Sequence, residues 1–161
     1  MRETRKSKPA GNSVDSSSIK LVSTEQIRAV IKFLPIFESI KPNAFSHPVR
    51  LPGNEDVCYG IGHVEFHPAV YEFTKACYES GFIQSFDWPA WGREARRYME
   101  NPALLGSAKL ATCIKLITTH IRYERFCDGH LHSVFESGHL TAILRRLEQL
   151  ANAHLETTKT D

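Results

Sequence analysis

The chain has 161 residues, 42% hydrophobic and 24% charged, which fits one globular domain with a core of its own. No apolar run approaches a membrane span, and Met1-Arg2-Glu3-Thr4-Arg5-Lys6 has no apolar run behind it, so it does not read as a secretory signal. The net charge of +2 sits in the first twenty residues, whose five basic and two acidic side chains give +3 and leave −1 for the remainder, which argues against a folded domain built for nucleic acid.

Residues 1–20 hold Pro9, Gly11 and Ser16-Ser17-Ser18 with almost nothing apolar, a composition that predicts disorder. Ser23 and Gln26 then have capping-box spacing. Behind them Ile27, Val30, Ile31, Leu34 and Phe37 recur at helical spacing, with Pro35 expected to kink or shorten the helix. Residues 41–62 carry Pro42, Pro48, Pro52-Gly53-Asn54, Gly60 and Gly62 and read as a long loop. A short strand is expected there, near Val57 or Val64.

His67-Pro68 opens a helix with Pro at its first position. Val70, Phe73, Thr74 and Cys77 form its buried stripe, and Gly81 ends it. Asp87 caps a third helix, in which Trp88, Trp91, Ala95, Tyr98 and Met99 share a face. After Asn101-Pro102, Ser107 is expected to open a long helix striped by Leu110, Cys113, Ile114, Ile117 and Ile121. Asp128-Gly129 turns into a short helix with Leu131, Val134 and Phe135, which Gly138 ends. Leu140, Ile143, Leu144, Leu147, Leu150 and Ala151 make the last and most regular face. The four cysteines, Cys58, Cys77, Cys113 and Cys127, form no C-x-x-C pair and read as reduced thiols in a cytoplasmic protein.

The end of the long helix is the main candidate site: His120, Arg122, Glu124, Arg125, Gly129 and His130. His120 and Glu124 fall on the apolar side beside Cys113 and Ile117, four residues apart and within bonding reach. Arg122 points away and Arg125 lies at the edge of the stripe. A carboxylate on an apolar face needs a partner or takes up a proton. The expected partner is Arg125 or an Arg from a neighbouring helix. A structural ion pair is favoured over a ligand-lining cluster, because ion-pair networks perturb pKa values as readily as catalytic sites do.

The run Arg122-x-Glu124-Arg125-Phe126-x-x-Gly129-x-Leu131, with Phe135-Glu136-Ser137-Gly138 and Ile143-Leu144-Arg145-Arg146-Leu147 after it, resembles an uncharacterised prokaryotic domain-of-unknown-function family. Val70-Tyr71-x-Phe73 and Phe86-Asp87-Trp88-x-x-Trp91 are similar to the same family, and the likeness spans about Ile27 to Leu147. It implies a small soluble bacterial protein. It carries no activity, cofactor or catalytic residue.

Other groupings are weaker. His63, Glu65 and His67 alternate as metal ligands on one strand face would, but His67 before Pro68 is better explained as a helix cap. His130 and His132 read as solvent-facing, with His139 approaching them only if two helices fold back. Trp88 and Trp91 could contact a flat ligand, though an aromatic stripe at helical spacing is more often core. Arg93 with Arg97, and Arg145 with Arg146, read as solvated mixed-charge faces near Glu100 and Glu148.

These readings give an all-α fold: a single compact domain of about six helices over residues 21–155, a disordered basic Ser-rich tail at 1–20 and a frayed end at 156–161. No cofactor and no membrane association are expected. The domain is expected to act by binding a protein partner, a second copy of itself or a small anionic ligand. Its candidate surface joins the Arg122–His130 turn to the early loop. The alternative is a hydrolase-like enzyme using His and Glu residues, with or without a metal. A second alternative is weak nucleic-acid binding through the tail.

Overall fold

The computed structural model describes residues 19–48 and 64–157. Residues 1–18 of the expected N-terminal tail, with Val57, Cys58 and His63, lie outside the described residues. The last two tail residues, Ile19 and Lys20, are held in place, the Lys20 amide donating to Gln84 Oε1 at 2.7 Å and its carbonyl accepting from Gln84 Nε2 at 2.9 Å. Helix α1 (Thr24–Ile31) begins where Ser23 Oγ accepts from the Gln26 amide at 3.2 Å and Gln26 Oε1 accepts from the Ser23 amide at 2.7 Å. Both arms of the capping box are therefore made. The Gln26 side chain also donates to the Ser80 carbonyl at 2.7 Å, tying the start of α1 to the end of the third helix.

Pro35 has no amide hydrogen to continue the ladder. The first apolar-periodic stretch accordingly splits, and a separate α2 (Leu34–Ser39) follows with Pro35 in its first turn. This split makes seven α-helices among the described residues: α3 (Pro68–Glu79), α4 (Trp88–Glu100), α5 (Leu110–Glu124), α6 (His130–Glu136) and α7 (His139–Thr157) complete the set. His67 Nδ1 caps α3 by accepting from the Ala69 amide at 3.2 Å, and Asp87 Oδ1 caps α4 by accepting from the Ala90 amide at 3.1 Å.

Ser107 does not open α5 as expected. It closes a 3-10 turn over Pro102–Ser107, its hydroxyl donates to the Leu104 carbonyl, and α5 starts after Lys109 with no side-chain cap. The preceding turn already fixes the chain's direction there. The only sheet among the described residues is an antiparallel pair, β1 (Ser46–Pro48) with β2 (Val64–Phe66), in which Ser46 faces Phe66 and Pro48 faces Val64.

Helix α5 is the central element. Cys113, Ile114 and the whole run Leu116–Ile121 are buried, so the helix is enclosed well beyond its expected stripe, by α4, α6 and α7. Thr118 and Thr119 are both fully buried. A phenylalanine cluster fills the other half of the core. Phe37 stands edge-on to Phe73 at 5.3 Å and to Phe135 at 4.9 Å, and Phe45 stacks on Phe135 at 4.7 Å. Such pairs add about 0.5–1.5 kcal/mol each beyond area burial. They join α2, α3, α6 and the residue leading into β1. Among the described residues no helix is long and apolar enough to cross a membrane.

Candidate functional site

Helix α5 ends at Glu124, and the turn that follows is held by this side chain. Glu124 Oε1 accepts from the Gly129 amide at 2.9 Å and Oε2 from the Leu131 amide at 2.6 Å. Those amides open α6 and have no partner within their own helix. Gly129 is its N-cap, with φ +85°, and a Cβ there would stand 3.2 Å from Val64 Cγ2. Glycine satisfies both the left-handed backbone and the close approach of β2. Asp128 Oδ2 accepts from the Val64 amide at 3.2 Å, so turn and strand are joined twice.

The expected cationic partner of Glu124 is thus replaced by backbone amides. Glu124 does not bond His120 either, because the carboxylate reaches forward past the end of its own helix. Burial raises its carboxyl above the ordinary value; the Leu131 and Gly129 amides oppose that, and Asp128 adds to it.

A groove of about 640 Å³ lies beside this turn, between α3, α5 and β2. Its walls are apolar, formed by Phe66, Val70, Tyr71, Tyr78, Ile121 and Leu131. Its charged rim is Lys75, Glu124, Arg125 and Asp128. Tyr71 and Tyr78 are 53% and 43% exposed, a large apolar surface left open to solvent at one place. Val64 and Phe66, at the near end of this groove, belong to β2, which follows the early loop. Residues 49–63 of the early loop lie outside the described residues, and none of residues 41–48 lines the groove.

The other predicted residues separate. His120 is buried, with Nδ1 2.9 Å from His130 Nε2. Its ring also meets His139 edge-on at 5.2 Å, so the fold-back of α7 against α6 does bring His139 in. His132 lies outside this trio. His120 Nε2 and both nitrogens of His139 are buried without a hydrogen-bond partner. Burial pushes all three imidazoles down, His120 well below its ordinary value and His139 to about 4, with the neighbouring rings reinforcing the effect on both. The trio is neutral at physiological pH; His120 and His139 are buried, His130 is half-buried, and none of them lines the groove. Arg122 is half-buried, and its Nε has no hydrogen-bond partner.

Trp88 and Trp91 are half-buried on α4. Trp88 stands edge-on to Tyr123 at 5.1 Å and stacks at 5.6 Å on Phe126, which is 77% exposed. Trp91 packs against Phe86, with the Lys115 ammonium 5.9 Å from its ring. Of the weak metal candidates, Glu65 pairs with His47 at 3.2 Å and His67 uses Nδ1 to cap α3. Among the described residues no group of three or more His, Cys, Asp or Glu is arranged to hold a metal ion. Arg97 pairs with Glu94 and Arg145 with Glu38, both on solvent-exposed faces.

One contact had no counterpart in the sequence reading. Ser46 Oγ lies 2.5 Å from His132 Nδ1, and His132 Nε2 lies 3.2 Å from Glu136 Oε2. The four-residue spacing of His132 and Glu136 signals half of it. The serine comes from β1, 86 positions away, and no local pattern announces it.

Fold and site together define a helical domain with a ligand-sized apolar groove beside a tightly bonded helix-to-helix turn. The chain belongs to a family of unknown function, DUF6508, whose model matches residues 22–153. No curated protein and no solved structure matches it.

Proposed function

We propose that this is a non-catalytic binding domain of the bacterial cytoplasm that takes a small, largely apolar molecule in the groove between α3, α5 and β2. The groove carries the reading. Its volume of about 640 Å³ falls within the roughly 300–1,000 Å³ of small-molecule sites, which are likewise apolar with a few polar groups at fixed places. Cys77 and Cys113, buried thiols held protonated by their apolar surroundings, suit a reducing compartment. The alternative to a small molecule is a protein partner or a second copy, docking outside the groove on the exposed Phe126 stacked on Trp88. Nucleic acid binding would rest on the tail, of which residues 1–18 lie outside the described residues.

The test is titration with a neutral fluorescent naphthylamine. Saturable binding at one site per chain is expected. Thr74→Trp, which fills the groove from its half-buried wall, should weaken that binding at least about tenfold while the fold persists. Binding that is absent, or indifferent to Thr74→Trp, contradicts the proposal.

Ser46, His132 and Glu136 favour a second reading, a hydrolase. Glu136 orients the imidazole so that Nδ1 is free to accept the serine proton. Ser46 Oγ then attacks an ester carbonyl, and His132 passes the proton to the departing alkoxide. Water releases the acyl group through the same base. A fluorophosphonate that labels Ser46, and fails to label the His132→Gln variant, would establish this reading; an unlabelled wild-type protein would remove it.

A further inference from the structure

We infer that the groove's ligand is an amphipathic anion, an apolar body ending in a carboxylate that pairs with Arg125; this rests on the groove being a small-molecule site. The inference comes from following the groove's charged groups, with the Thr74 and Tyr71 hydroxyls, to their partners; the neutral Tyr78 hydroxyl has none among the described residues. The Thr74 hydroxyl donates to the Val70 carbonyl at 2.9 Å, and the Tyr71 hydroxyl accepts from the Phe66 amide at 3.2 Å. Both rim carboxylates are engaged by backbone: Glu124 by the Gly129 and Leu131 amides, Asp128 by the Val64 amide. Lys75 has only a solvent-exposed contact with Glu79 at 3.7 Å.

Among the charged groups of the rim Arg125 differs. It is exposed at the rim and has no ion-pair or hydrogen-bonding side-chain partner among the described residues, although Glu124 precedes it and Asp128 lies three positions on. The acids that could have neutralised it are turned toward amides. A guanidinium has five donors in a planar fork that fits a carboxylate with two parallel bonds. Behind that fork the walls offer Tyr71, Tyr78, Ile121 and Leu131 to an apolar body. A cationic ligand would have to compete with backbone amides for three of the four rim carboxylate oxygens, Glu124 Oε1 and Oε2 and Asp128 Oδ2. A wholly apolar ligand would leave the Arg125 fork without a use.

The experiment is calorimetric titration of the full chain with three probes that share a tail and differ in the head: decanoate, decanol and decylammonium. Decanoate is expected to bind one per chain, about tenfold more tightly than decanol. Arg125→Gln should reduce decanoate to the decanol level and leave decanol unchanged. Decanol and decanoate binding equally well would overturn the anion inference and leave the groove reading standing. Tighter binding of decylammonium would overturn it in favour of Glu124 and Asp128 as the recognising charges. Failure of all three to bind would remove the inference and the groove reading together.

Discussion

Glu124 closes the turn after α5 with both oxygens, and the consequence for stability differs from that of an ion pair. Breaking a buried pair strands a charge, at about 3–5 kcal/mol. Replacing a carboxylate that serves two helix-opening amides leaves one amide without its acceptor, at about 0.5–2 kcal/mol. Glu124→Gln should therefore cost about 1–2 kcal/mol in chemical denaturation. Glu148→Gln, on the exposed side of α7, should stay within about 0.5 kcal/mol. A loss above about 3 kcal/mol would point back to a charged partner. The histidine trio makes a prediction in pH. All three imidazoles have folded values below the ordinary 6.5, His139 near 4. The unfolded chain thus binds more protons between those values, and stability falls as pH drops from about 6.5 toward 4. Glu124, raised from its ordinary value, works in the opposite sense, favouring the fold as it protonates. The three imidazoles outnumber it, so net acid loss is expected. His139→Leu removes two buried nitrogens without partners and should flatten the acid limb while raising stability at neutral pH by about 1 kcal/mol. An unchanged acid limb would show that the trio does not govern it.

At the scale of elements, α4 and α5 lock through a glycine. A Cβ built on Gly92 would come within 2.1 Å of the Tyr123 hydroxyl and 3.0 Å of its ring carbon Cζ. Tyr123 in turn supports Trp88 and His130. Gly92→Ala should destabilise by about 1–3 kcal/mol, the usual cost of overpacking. Tyr123→Phe in the same chain should recover part of the loss, since the nearest clashing atom is the hydroxyl. No recovery in the double variant would mean that Gly92 matters for its backbone and not for the room it leaves. Gly92 also marks the limit of what the sequence could tell. Ser23 with Gln26, His67 before Pro68, Asp87 before Trp88 and the break at Pro35 were all legible, because each is settled by chemistry within a few residues. Lys109, not Ser107, precedes α5 because a 3-10 turn had already been formed there, which a capping rule cannot foresee. Convergence was harder still. Helical spacing puts His120 and Glu124 on the apolar side of α5. Which amide, imidazole or strand each would meet depends on how α6, α7 and β1 return to α5, and that is set by packing over long separations.

At the scale of the whole molecule, one end of the enclosed α5 lines a groove together with β2 and α3. The phenylalanine cluster fixes α2, α3 and α6 on one side, and the α4–α5 contact fixes the other. The α3 and α5 walls of the groove therefore belong to elements packed into the core, as a preformed site requires. Arg125 and Glu124 sit side by side at its rim with different duties, one free toward solvent and the other committed to the turn. The claim that this groove is where the protein binds is tested most directly by amide NMR of the isotope-labelled chain during addition of decanoate. The account predicts saturable shifts confined to α3 near Thr74 and Tyr78, to β2, and to the turn from Glu124 to Leu131. Shifts centred on Trp88 and Phe126, shifts centred on Ser46 and His132, or no saturable shifts at all would contradict it.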